Sequence, residues 1–284
     1  MLVHRSALLW RRLWVVVLSC TLSACLPLFY SRTEQVLAMA RTHAVQPVVL
    51  TAHGFSLLAL LKSPTSPGRL LVVYLEGDGF AWLDRRHLSP DPTPKNPLVV
   101  KLMLQDPYPA VAYLGRPCQY LDAAVEGCDS RYWSSHRYAT EVVTAMSEAI
   151  DTLKAMVQAE QVGLVGYSGG GTVGALLAAR RQDVTWLVTV AANLDVAAWT
   201  AHHQVSPMPQ SLNPVDFAAA LAAVPQMHFV GEADRLVPES ILHSYGHHLP
   251  APHSFTVQKV PQADHVCCWV ADWPALLTQI PFRQ

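Results

Sequence analysis

Charge is scarce in this sequence: only 14% of its 284 residues are Asp, Glu, Lys or Arg, against roughly 25% in ordinary soluble domains. Neither sign dominates, with 20 basic and 21 acidic side chains and a formal net charge of -1. No extended Lys/Arg run is present to neutralise phosphates, which excludes a general nucleic-acid binder. Low hydrophobicity is absent too. Apolar residues make up 51% of the chain and the mean hydropathy is +0.21, which excludes an intrinsically disordered chain. The 21 prolines follow no period, so collagen-like and linker-like readings fail, and no internal repeat is present. What remains is a chain long enough to bury a sizeable core, as one large α/β domain or two small ones.

The amino terminus reads as an address. Arg5, Arg11 and Arg12 carry its charge, the apolar run Leu13–Leu18 follows, and Leu22-Ser23-Ala24-Cys25 closes it. A basic start, a short apolar stretch and small residues before a cut site make a secretory signal. The stretch is too short and interrupted for a membrane span, which needs about 20 residues. Leu22-Ser23-Ala24-Cys25 resembles the bacterial lipobox, whose cysteine becomes the lipid-modified first residue. That resemblance implies a signal at residues 1–24, acylation of Cys25, and a seat in the Gram-negative envelope. Leu26 in place of Asp points to the outer membrane rather than the inner. Loss of three arginines and no acid leaves 17 basic and 21 acidic side chains, a formal charge of -4. Attachment would then rest on acyl chains rather than on overall charge. Residues 25–44 read as a tether and residues 45–284 as the folded domain.

Past Cys25 four cysteines remain, an even number in an oxidising compartment, and they allow three pairings. Cys118–Cys128 closes a short turn-rich loop and is the preferred bridge. Cys267 and Cys268 then form a vicinal disulfide or two free thiols. Zinc ranks below either, because the spacing lacks paired C-x-x-C motifs, and no other metal site is expected.

Along the folded part, strands and helices alternate. Val48–Thr51 and Phe55–Lys62 read as a hairpin turning at Gly54. Leu70–Leu75 is an unbroken apolar run, hence a buried strand, and Ala110–Leu114 is another. Further strands are expected at Val162–Tyr167, Val184–Ala191, Met227–Val230 and Phe255–Val260. Helices are expected over Leu98–Leu104, from a cap at Ser134 or Ser135 to about Gln158, over Gly170–Arg181 and Glu239–Tyr245, and over Pro274–Ile280. Alternation predicts a mostly parallel sheet of about eight strands with helices on both faces. The span 193–225 has room for a short lid lined by Trp199, Met208 and Phe217.

Candidate chemistry falls at the carboxyl ends of these strands. Gly166-Tyr167-Ser168-Gly169-Gly170 fills the pattern G-x-S-x-G between a strand and a small-residue helix. A nucleophile on so sharp a turn needs neighbours without a β-carbon, and the helix amino terminus favours developing negative charge. The expected partners follow in the order acid, then histidine: Asp234 after one strand and His265 after the next. Asp195 is the alternative acid, while Asp264 and Glu232 read as turn and surface residues. Two backbone amides should hold the oxyanion, one from Gly169 and the other from Asp78 or, next, Gly77. Glu76 and Asp78 would place carboxylates beside that hole, so Arg116, at the end of the neighbouring strand, is expected to pair with one of them. His243 and His247 stand one helical turn apart without an evident third ligand. Like the His202-His203 and His247-His248 pairs they read as surface or loop residues, and Trp133, Trp269 and Trp273 as core.

With these motifs, the chain over residues 45–284 resembles the α/β-hydrolases. It is more narrowly similar to uncharacterised proteobacterial envelope members, through Asp91-Pro92-Thr93-Pro94, Gly115-Arg116-Pro117-Cys118-Gln119-Tyr120, Tyr132-Trp133-Ser134-Ser135-His136-Arg137-Tyr138 and Ser211-Leu212-Asn213-Pro214. The resemblance implies a serine hydrolase acting without cofactor on a small ester by acyl transfer to water, with an amide or peptide bond as second choice. It implies a membrane contact through the lipid anchor, and no nucleic-acid or obligate protein partner. The alternative class is a silent binding or envelope-assembly protein that kept the fold.

Overall fold

The computed structural model describes residues 31–64, 68–121 and 128–282. The expected signal at residues 1–24 and Cys25 lie outside the described residues, as does 122–127 within the Cys118–Cys128 loop. Eight strands form one sheet: β1 Gln46–Ala52, β2 Phe55–Lys62, β3 Leu70–Leu75, β4 Val111–Leu114, β5 Gln161–Tyr167, β6 Val184–Val190, β7 Gln226–Gly231 and β8 Phe255–Val260. Their order is β1-β2-β4-β3-β5-β6-β7-β8. β1, β2 and β4 pair antiparallel, and all pairs from β4 to β8 are parallel. This is the α/β-hydrolase fold.

The helices among the described residues are α1 Arg32–Thr42, α2 Leu98–Leu104, α3 Thr140–Val157, α4 Gly169–Arg180, α5 Val196–His203, α6 Ala218–Leu221, α7 Glu239–His248 and α8 Trp269–Leu277. None is long and apolar enough to cross a membrane. Strand alternation shows how both sheet faces are covered. Leu71, Val73 and Leu75 of β3 join a core with α3, α4, α6 and α7, whereas Val72 and Tyr74 join one with α1, α2 and α8. That is why β3 reads as a continuous apolar run.

Four expectations are corrected. The tether over 25–44 gives way from Arg32 to helix α1, whose Val36 and Ala40, four residues apart, are wholly buried against the second core. Helix α3 begins at Thr140 rather than near Ser134 or Ser135, and no side chain caps it. Residues 130–139 instead make a short 3₁₀ turn and a loop that carries Arg137 and Tyr138 inward. The closing helix begins at Trp269, leaving Pro274 inside it. Proline cannot donate to the carbonyl four residues back, and the Gln105 amide donates to that carbonyl, Val270 O, at 3.0 Å. The span 193–225 forms α5, a 3₁₀ turn at Pro214–Phe217, and α6. Of its expected lining only Trp199 reaches the cavity beside Ser168, while Met208 and Phe217 pack on the first core.

Candidate active site

The parallel strands deliver their carboxyl ends to one edge of the sheet, so residues far apart in sequence meet there. Leu75 lies opposite Gly166 in β5, which puts Glu76-Gly77-Asp78 beside Ser168. Ser168 stands at the turn from β5 into α4 with φ 51° and ψ -125°, a left-handed conformation unusual for a residue with a β-carbon. The turn is possible because the chain beside it is bare. A β-carbon on Gly170 would lie 2.2 Å from Leu75 O, and one on Gly169 would lie 2.1 Å from Asp78 Oδ1.

Ser168 Oγ and His265 Nε2 are 3.0 Å apart, and His265 Nδ1 is 2.9 Å from Asp234 Oδ2. The other Asp234 oxygen accepts from the amides of Leu236 and Val237 at 2.8 and 2.9 Å. Tyr167 braces the ring: its hydroxyl donates to His265 O at 2.8 Å and the two rings sit 5.3 Å apart. Asp195, the alternative acid, is engaged elsewhere. It caps α5 by accepting from Ala198 N at 3.1 Å and accepts from Ser244 Oγ at 2.6 Å and Asn213 Nδ2 at 3.1 Å. Asp264 accepts from the amides of Val266 and Cys267, so it closes a turn, and Glu232 is exposed.

The two carboxylates after β3 find separate partners. Asp78 is held by Arg137 Nη1 at 2.9 Å, Tyr138 Oη at 2.8 Å and Arg116 Nη1 at 3.4 Å. Burial raises its pKa, but the two guanidinium charges and the Tyr138 hydrogen bond outweigh this and hold the carboxyl below its ordinary range. Glu76 accepts from Tyr113 Oη at 2.9 Å and Tyr120 Oη at 3.4 Å. Burial dominates there and pushes it up to about 7. Gly77 N donates to Glu76 Oε1 at 3.0 Å. Its amide is therefore taken, which removes Gly77 from the candidate oxyanion donors and leaves Asp78 and Gly169.

Gln119 completes the brace, donating to Gly77 O at 3.0 Å and accepting from Arg116 N at 3.2 Å. Arg116 also donates to Arg137 O. Arg137, Tyr138, Tyr113, Tyr120 and Gln119 carried no role in the sequence. Their only signal was that four of them lie in stretches that marked the family resemblance. Cys118 and Cys128 are joined, as are Cys267 and Cys268.

Beside Ser168 opens a cavity of about 540 Å³, walled by Phe80, Trp82, Tyr138, Trp199 and Val237, with Lys95 and Asn193 among its polar groups. His243 pairs with Glu239 on the outer side of α7, and His202, His203, His247 and His248 sit in helical last turns rather than loops.

A family model described as serine hydrolase (FSH1) matches residues 118–259, half of the chain. The chain belongs to the FSH1 serine hydrolase family. Solved structures share its fold at low sequence identity. Est1E from Butyrivibrio proteoclasticus is 15% identical with a TM-score of 0.56, over 82% of this chain and 98% of that one. GrgF, an α/β hydrolase from Penicillium sp. sh18, is 15% identical with a TM-score of 0.60, over 83% and 96%. An esterase from Pyrococcus furiosus is 14% identical with a TM-score of 0.58, over 83% and 89%. No curated protein matches the chain in sequence. For an FSH1 hydrolase the serine at the turn is the group to explain.

Proposed function

We propose that this hydrolase cleaves a carboxylic ester through an acyl-enzyme formed on Ser168. The hydrogen-bonded chain Ser168–His265–Asp234, at 3.0 and 2.9 Å, carries the reading. Ser168 Oγ attacks the carbonyl carbon while its proton passes to His265 Nε2. Asp234 holds Nδ1–H and stabilises the imidazolium. The carbonyl oxygen gains charge and is met by the amides of Asp78 and Gly169. Collapse breaks the C–O bond to the alcohol, which leaves with the proton from His265. Water then repeats the sequence on the acyl-enzyme, returning the proton to Ser168 and releasing the acid.

The Asp78 carboxylate close to Gly169 would oppose the oxyanion if it stood alone. Arg137 and Arg116 pair with that carboxylate and offset its charge, which reduces its opposition to the oxyanion. Phe80, Trp82, Tyr167 and Trp199 in the wall suit an apolar acyl or alcohol group. Among proteins of this fold, Est1E has been solved with ferulic acid bound. The lipobox resemblance supports the rest of the reading, an enzyme exported by residues 1–24 and held in the envelope by acylated Cys25.

Labelling with a fluorophosphonate probe tests the core of this. Ser168→Ala should lose all labelling and essentially all turnover of short-chain esters with an unchanged melting temperature. Undiminished turnover by that variant would overturn the assignment.

A further inference from the structure

Seven large apolar side chains are exposed among the described residues, and four of them gather at the cavity mouth. Trp82, Leu236 and Val266, at 40%, 46% and 53% exposure, belong to the cavity wall, and Leu83, at 55%, follows Trp82. Exposed apolar residues scattered singly are ordinary; several around one opening mark a contact surface.

Local geometry keeps them out. Trp82 and Leu88 form an antiparallel bridge, and Leu83 N donates to His87 O at 2.8 Å, so residues 82–88 make a small hairpin. Asp84 folds back on its tip, accepting from the amides of Arg86 and His87 at 2.8 and 3.0 Å. Arg85 and Arg86 are left exposed beside Leu83. Across the mouth Asp264 likewise turns to the amides of Val266 and Cys267, and exposed Arg235 precedes Leu236. Lys95 stands over the Phe80 ring at 3.4 Å. Asp84 and Asp264 stay exposed and ionised, but the cations around the mouth, Arg85, Arg86, Lys95 and Arg235, outnumber them in a chain whose formal charge is negative overall.

Indole and leucine side chains beside arginines suit the boundary between hydrocarbon and anionic headgroups. The chain also enters the fold here. Arg32 donates to Thr93 O at 2.6 Å and lies 5.5 Å from the centre of the Phe80 ring in the cavity wall. Six residues separate Cys25 from Arg32, a stretch that reaches at most about 25 Å fully extended. An acyl anchor at Cys25 would keep the mouth close to a bilayer.

We propose that the rim formed by Trp82, Leu83, Arg85, Arg86, Leu236 and Val266 docks on an anionic phospholipid surface, so that the ester substrate enters from the membrane. This rests on the ester-hydrolase reading for its substrate, though not for the docking itself.

The test compares the full chain with a Leu83→Ser/Arg85→Ser/Arg86→Ser variant; none of the three lines the cavity. Both carry the same amino terminus, so any difference belongs to the hairpin. Two substrates are used: a water-soluble butyrate ester, and a long-chain ester embedded in vesicles of phosphatidylcholine with or without about a third phosphatidylglycerol. The parent should turn over the embedded ester about tenfold faster on anionic vesicles, and the variant should lose that gain. Turnover of the soluble ester should match between the two. Vesicle flotation in a Ser168→Ala background reads docking without catalysis, and should show the same loss of preference for anionic vesicles. Equal flotation by both chains on both vesicles overturns the proposal. Charge-dependent flotation without hydrolysis of either ester keeps the docking surface and removes the ester-hydrolase reading.

Discussion

Asp234 divides its two oxygens between tasks, one on His265 and one on the amides of Leu236 and Val237. Its geometry is therefore set by backbone rather than by a flexible partner. In Asp234→Asn an amide NH₂ can face Nδ1 and favour the wrong histidine tautomer, so kcat should fall by about 10⁴ with little change in fold. Asp195→Ala should do the opposite. Turnover should persist while the melting curve reports a loss of about 1 kcal/mol from the missing cap. Similar kinetic losses in both variants would contradict the division. Glu76 offers a pH signature. Its folded-state pKa, about 7, lies above the ordinary 4.5, so the folded protein holds a proton that the unfolded chain releases. Stability from this group is present below about pH 4.5 and declines as pH rises towards 7. Glu76→Gln should flatten that part of a pH series of melting temperatures, and an unchanged slope would exclude Glu76 as its source.

At the scale of elements, the loops after β3 and β4 act as one unit because those strands are neighbours, with Leu75 opposite Leu114. Asp78 from one loop meets Arg116 from the other, and Arg137 and Tyr138 arrive from the turn before α3. The Cys118–Cys128 bridge ties the second loop down, with Cys118 packed among Ala81 and Trp133. Trp133 Nε1 donates to Ser89 O at 3.0 Å, carrying the brace to the stretch that holds the rim hairpin. Reduction of this bridge should cost about 2–4 kcal/mol. Mass mapping of Cys118 and Cys128, alongside denaturant unfolding with and without reductant, checks both the pairing and the loss.

For the molecule as a whole, the balance of charges makes the lipid anchor testable. Under the proposed cleavage after residue 24, the remaining chain would be acidic overall and have little reason to stay on membranes through its total charge. Cys25→Ser should move most of the protein to the soluble fraction of a salt-washed envelope preparation. Persistent sedimentation would show that the rim alone suffices or that the lipobox reading is wrong. Helix α1 bears on the same question, because its burial of Val36 and Ala40 begins the folded body at Arg32 and shortens any tether to a few residues.

Periodicity and turn chemistry made the strands, the α4 turn and the positions of Ser168, Asp234 and His265 legible from sequence, because each depends on contacts within a few residues of chain. A buried parallel strand must be apolar throughout, as β3 is, and the turn after β5 tolerates only bare neighbours at Gly169 and Gly170. Helix α1 is not legible in the sequence because only a narrow stripe of it faces the core, and neither is the start of α3, whose cap position, Ala139, carries no side-chain signal. His228 shows the same limit from the other side. Among thirteen histidines nothing local marks it, yet burial against Phe255 and Thr189 holds its pKa down at about 3 and keeps it neutral in the core. Pairing across loops is legible in sequence only in outline: neighbouring strands put Arg116 near Glu76 or Asp78, and chain order favours Asp234 over Asp195. That Arg116 takes Asp78 rather than Glu76, that Arg137 closes on the same carboxylate, and that Glu76 takes the Gly77 amide are decided by strand order and by how the loops pack. Those are properties of long-range packing, in which residues tens of positions apart come within a hydrogen bond of one another.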